Sequence, residues 1–237
     1  MMGRRSQEGR TVSRVQDDVY YMHAAKLPFV ARIARRARTQ VYWKFMEVMQ
    51  PTPTTTILDV GVSLDGASAE ANILEQLYPY KHNIVCAGLS ATPHGLNRYP
   101  GVTFVPIEPH KPLPFRDAEF DVVYSNAVVE HVGSRSDQAC FLMEAARVGR
   151  RVFIVVPNRL FPVEHHTGLP LIHYLPLSVF RGALRISPLR YWSHEEHLNP
   201  LFGRQFRSLF GSEHRVTLAY CGLGVGPFRS NIVGYTS

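Results

Sequence analysis

The 237-residue chain contains no apolar run close to the roughly 20 residues that a membrane-spanning helix requires. Its opening stretch, MMGRRSQEGR, has charge but no apolar segment behind it, so it does not read as a secretory signal. Cysteine is scarce: Cys86, Cys140 and Cys221 lie far apart, are odd in number and form no CxxC pair. That usage points to buried thiols in a reducing cytoplasm rather than to a disulfide framework or a zinc knuckle. There is neither a GxGxxG fingerprint nor a GK[ST] loop, which makes nucleotide phosphates a poor match. Internal repeats and low-complexity tracts are absent as well.

An excess of positive charge is present, but it is local. The formal net charge is +7, with a pI near 9.5. Residues 1–44 carry ten basic and three acidic side chains, whereas residues 45–237 carry sixteen of each. The body of the protein is therefore neutral, and nucleic acid is not the expected partner. The excess falls on a polar segment, 1–28, expected to be a flexible tail, and on the amphipathic helix expected over 30–49. There Arg32, Arg35 and Arg36 share one face, opposite Ile33, Ala37, Val41, Phe45 and Val48. That basic face is either a solvated surface or a contact for a membrane surface or a protein.

Beyond Thr56 short Val- and Ile-rich runs alternate with helical patterns. The runs at 57–60, 84–88, 102–107, 120–124 and 152–156 read as strands buried on both faces, as parallel sheets require. Two further strands are expected over 215–221 and 231–235. The expectation is an α/β, doubly wound, Rossmann-like sheet of seven mostly parallel strands within a single domain over 29–237. Residues 157–205, rich in aromatic, His and Pro residues, interrupt it. They are expected to form a cap over the sheet edge, too small for a core of their own.

Strand one runs into the turn ILDVGVSLDG, where a glycine allows close backbone approach to a ligand and a carboxylate suits an amine better than a phosphate. Two more segments follow in order, LPFRDAEFDVVYSNAVVEHVGS and VPNRLFPVEHHTGLPLIHYLP. Together the three segments resemble class I S-adenosylmethionine-dependent methyltransferases, most closely the type 11 group that acts mainly on small molecules. The resemblance spans roughly residues 45–236. It implies that Asp59 and Gly61, with Val62, Ser63 and Asp65 of the same turn, hold the amino-acid end of S-adenosyl-L-methionine. It implies that Glu108 meets the adenine, and that Asn126 and Ala127 line the cofactor and the methyl path. Ser63 and Asp65 replace two glycines of the family's usual turn. Ser90 stands where an acidic residue normally grips the ribose, which weakens that contact by very roughly 1–2 kcal/mol.

Methyl transfer to a hydroxyl needs an aligned acceptor and somewhere for its proton to go. His131, just past the fourth strand, is the expected proton acceptor, with packing of the following helix as its structural alternative. Glu164 and His166 of the cap are expected to touch the acceptor or to pin the cap. Glu130 reads as a solvated or capping carboxylate. Asn158 and Arg159 could orient a polar acceptor or tie a loop to carbonyls. The His194-Glu195-Glu196-His197 run lacks the HExxH spacing that places two imidazoles on one helix face, so no metal site is expected. The resulting expectation is a cytoplasmic methyltransferase acting on a small or sugar-containing acceptor, at oxygen. The alternatives are a fold that has lost its cofactor and serves as a binding module, or an RNA methyltransferase, the latter disfavoured by the neutral body.

Overall fold

The computed structural model describes residues 28–62, 71–89 and 94–237. Seven strands form one sheet: β1 (Ile57–Val60), β2 (Ile84–Gly88), β3 (Thr103–Pro106), β4 (Phe120–Asn126), β5 (Gly149–Pro157), β6 (Thr217–Cys221) and β7 (Asn231–Tyr235). Their order is β3-β2-β1-β4-β5-β7-β6, with β7 antiparallel to both of its neighbours and every other pairing parallel. The expected fold class is thus the observed one. Strand order reverses between β1 and β4, which diverge into crossovers on opposite sides and leave a crevice at their carboxyl ends.

The apolar runs are continuous because both faces of the sheet are covered. One face packs Ile57, Cys86, Val122, Tyr124, Phe153 and Val155 against helix α1 (Pro28–Met49) and the short helix α2 (Ile73–Leu77). Phe45 of α1 meets the rings of Tyr124 and Phe153 edge-on at 5.4 and 5.3 Å. The other face packs Leu58, Val60, Val123, Val152 and Ile154 under helix α3 (Arg135–Val148). Of the expected apolar face of α1, Ala37, Val41 and Phe45 are buried and Ile33 and Val48 half-buried, while Arg32, Arg35 and Arg36 are exposed; Met49 is buried as well. No helix among the described residues is long and apolar enough to cross a membrane.

The insert leaves the sheet after β5 and returns where Asn158 bridges to Leu201. It contains helix α4 (Leu177–Arg185) and, contrary to expectation, has a small core of its own in which Phe180, Leu184, Trp192 and Leu198 are buried together. A 49-residue loop can build this cluster because Arg159 ties it from inside. The buried guanidinium donates to the carbonyls of His173 and Leu175, at 2.7 and 2.6 Å, and lies over the Phe202 ring. Asn158 Nδ2 likewise donates to the Pro227 and Arg229 carbonyls. Both residues therefore tie loops, the structural alternative of the sequence reading. Helix α5 (Gly203–Ser208) then returns Phe206 to the sheet's second face.

Candidate active site

At the crevice, Asp59 lies on β1 opposite Cys86 of β2 and Tyr124 of β4. It is buried, as is Glu75 on α2. Burial and the neighbouring Glu75 carboxyl hold Asp59 well above the usual carboxylate range. Glu75 Oε1 accepts from the Cys86 thiol at 3.3 Å, while Oε2 is buried without a hydrogen-bond partner among the described residues. Two carboxyls buried side by side, one oxygen unsatisfied, are a ready receptor for an ammonium group. Gly61 follows at φ +91°, where a Cβ would stand 2.2 Å from Val128 Cγ2; only glycine lets the β1 turn pass this close to the β4 turn.

The β4 edge carries a second group. After Asn126 the chain turns through Ala127 at φ +59° into a single 3₁₀ turn, Val129–His131, before Ser134 caps α3. This turn is fastened to the end of the cap. Buried Gln138 donates from Nε2 to the carbonyls of both Val129 and Asn199, each at 2.9 Å. Asn199 donates its amide N–H to the Glu130 carbonyl and its Nδ2 to Gly133. Glu130 and His131 are thereby pressed against Glu164 and His166 of the cap, with Trp192 as an apolar wall 5.0 Å from the His166 ring.

Hydrogen bonds settle the tautomers. His131 Nδ1 lies 2.6 Å from the His197 carbonyl, which only accepts, so Nδ1 carries the proton. His166 Nδ1 donates to Glu164 Oε1 at 2.8 Å, and Glu164 Oε2 accepts the amides of His166 and Thr167. The two Nε2 atoms then face each other at 3.1 Å. Burial and the charge of His166 lower His131 to about 3. Although burial alone would lower His166, the Glu164 carboxylate overcomes it and raises the imidazole. Burial pushes Glu130 up to about 7. His166 is thus the more basic of the two facing imidazoles. Both Glu130 oxygens are buried without a hydrogen-bond partner among the described residues.

Residues 58–152 match a family model described as a methyltransferase domain. That stretch is a methyltransferase domain. No match was found among curated proteins. Among solved structures, the methyltransferase is similar to magnesium protoporphyrin IX methyltransferase from Synechocystis PCC 6803, solved with bound SAH. The TM-score is 0.56 at 12% identity, over 95% of this chain and 94% of that one. A possible histamine N-methyltransferase from Thermotoga maritima gives 0.56 at 12% identity, over 96% of each chain. The N-methyltransferase NodS from Bradyrhizobium japonicum WM9, in complex with SAH, gives 0.56 at 10% identity, again over 96% of each. At such identities the likeness is one of fold.

The methyltransferase places its sequence-predicted residues in two groups. Asp59, Gly61, Asn126 and Ala127 lie at the carboxyl ends of the adjacent strands β1 and β4, and the paired acids fit the ammonium of S-adenosylmethionine. His131, Glu164 and His166 converge in the second group. The side chain of Val62 is buried in the α1-side core, while its backbone lies at the turn after β1. Glu108 lies just past β3, is largely exposed and pairs with Lys111 Nζ at 2.6 Å, because the PHKP stretch places a lysine within its reach. Ser63, Asp65 and Ser90 lie outside the described residues, as does most of the tail expected over 1–28. Glu130, read from the sequence as a solvated or capping carboxylate, is instead buried, and Glu75 is the residue that sequence reasoning missed. For Glu130 the neighbours Val128 and Val129 were the available signal, since a carboxylate in an apolar run is drawn inward with them.

Proposed function

We propose that this methyltransferase methylates a hydroxyl oxygen of a small or sugar-containing acceptor held between the β4 edge and the cap. The observation that carries the reading is the convergence of Glu130, His131, His166 and Glu164, walled by Trp192. A hydroxyl is a poor nucleophile until its proton is drawn off, and this group gathers carboxylate and imidazole acceptor atoms around one point. S-adenosylmethionine, when bound, supplies the electrophilic methyl group of a sulfonium. Asp59 would accept its ammonium, and the Gly61 turn and Asn126–Ala127 would line its amino-acid end. His131 faces the acceptor oxygen. Glu164 is a positioning residue that holds the His166 ring through Nδ1.

The test combines calorimetric titration of S-adenosylmethionine with a screen of labelled methyl transfer to hydroxyl, amine and thiol acceptors. Cofactor binding and transfer to hydroxyl compounds are expected. In the same assay, His131→Asn should lower turnover by about 10²–10⁴-fold. Transfer to amines alone, or no cofactor binding at millimolar ligand, would overturn the reading.

A further inference from the structure

The three inward-facing atoms of the β4–cap cluster have a geometry that hydrogen bonding does not require. Glu130 Oε1 lies 3.6 Å from His131 Nε2 and 3.9 Å from His166 Nε2, and the two nitrogens are 3.1 Å apart. For that triangle the point equidistant from its corners is about 2.1 Å from each, within the span of Zn–N and Zn–O bonds, about 2.0–2.2 Å. Each imidazole is oriented from behind as metal-binding histidines are. His131 Nδ1 donates to a backbone carbonyl, and His166 Nδ1 donates to a carboxylate that is itself held by two backbone amides. Both Nε2 atoms therefore point at the same place. The third corner is a carboxyl that is only 1% exposed and has no hydrogen-bond partner among the described residues on either oxygen. A polar group buried in this way is destabilising unless a partner reaches it.

We infer that Glu130, His131 and His166 form a binding site for a divalent transition-metal ion. Two imidazoles and one carboxylate suit zinc, iron, cobalt or nickel rather than magnesium or calcium. The ion displaces the proton shared between the two Nε2 atoms and satisfies Glu130 in the same step. The HEEH run, by contrast, does not converge: His197 is stacked on Tyr191 and its Nδ1 is bound to the Tyr191 carbonyl, while Glu195 pairs with Arg181. In catalysis the ion would act as a Lewis acid on the acceptor hydroxyl, easing loss of its proton. That role rests on the methyl-transfer reading, but binding of the ion does not.

Metal removed with a chelator, the full chain is titrated with Zn²⁺ and with Co²⁺ in the absence of cofactor and acceptor. One ion per chain is expected, with a rise in melting temperature. Glu130→Gln and His166→Asn should each weaken uptake at least about 100-fold, and Glu164→Gln about 10–100-fold by loosening the His166 ring. His194→Ala should leave it unchanged. X-ray absorption on the zinc-loaded wild-type chain should show two imidazoles in an N/O shell near 2.1 Å, a readout that does not depend on how the variants fold. The inference is overturned by no stoichiometric uptake, by uptake that survives Glu130→Gln and His166→Asn, or by an imidazole count other than two. If the ion binds and no methyl transfer is found, the metal site stands and the proposed function falls.

Discussion

Gly61 is held by two constraints that reinforce each other. Its φ of +91° is unfavourable for any L side chain, and Val128 occupies the space a Cβ would fill. Gly61→Ala should therefore lose about 2–4 kcal/mol in urea unfolding, and Val128→Ala should restore only the steric part in a double-mutant cycle. Asp59 leads to a pH prediction. A carboxyl whose folded pKa lies above its unfolded value of about 4 resists ionisation in the folded state, so it costs stability as pH rises through that interval. Wild type should lose stability progressively above about pH 4, and Asp59→Asn should lose less, with the gap between them widening toward neutral pH. The same substitution should weaken binding of S-adenosylmethionine, because the ammonium loses its charged partner. Denaturation curves across pH and calorimetry check the two halves separately. Sequence reading reached Asp59 through its motif but did not reach Glu75, whose position beside it depends on how α2 crosses back over β2.

At the scale of elements, the link between the β4–α3 turn and the cap decides the geometry of the site. Gln138 and Asn199 are both fully buried, and each spans the two elements with hydrogen bonds to backbone. Asn199→Ala leaves the Gly133 carbonyl unpaired and should cost about 1–3 kcal/mol. Hydrogen exchange should then rise across the cap around residues 164–199 while β1 and β4 stay protected. Ser134 caps α3 in a reciprocal box with Asp137, and Ser134→Ala should cost about 1 kcal/mol without moving the cap. Strands β1, β2 and β7 were legible to the residue because apolar runs buried on both faces have sharp polar ends. The cap's own core was not legible, since Phe180, Leu184, Trp192 and Leu198 show no period shared across α4 and the turns that follow it.

For the whole molecule, the charge excess and the site occupy different places. Arg32 and Arg36 are exposed on α1, so replacing both by Gln should change unfolding stability by no more than about 0.5 kcal/mol. Thermal unfolding would show it. The amino-acid order by itself determined the sheet, its crossovers and the glycine–carboxylate turn, because those depend on local period and on residue types at fixed spacing. It also determined that Glu130 and His131 are adjacent. What only the tertiary structure decided is that Glu130 turns inward and that His166, 35 residues further along the chain, brings its Nε2 to 3.1 Å from that of His131. The reason is that a cap follows its own packing and its backbone ties, through Arg159, Gln138 and Asn199, and no periodicity in the sequence encodes where those ties meet. The body, with basic and acidic residues in balance, reads as neutral from sequence, whereas the convergence of Glu130, His131 and His166 within it is one that spacing alone does not reveal.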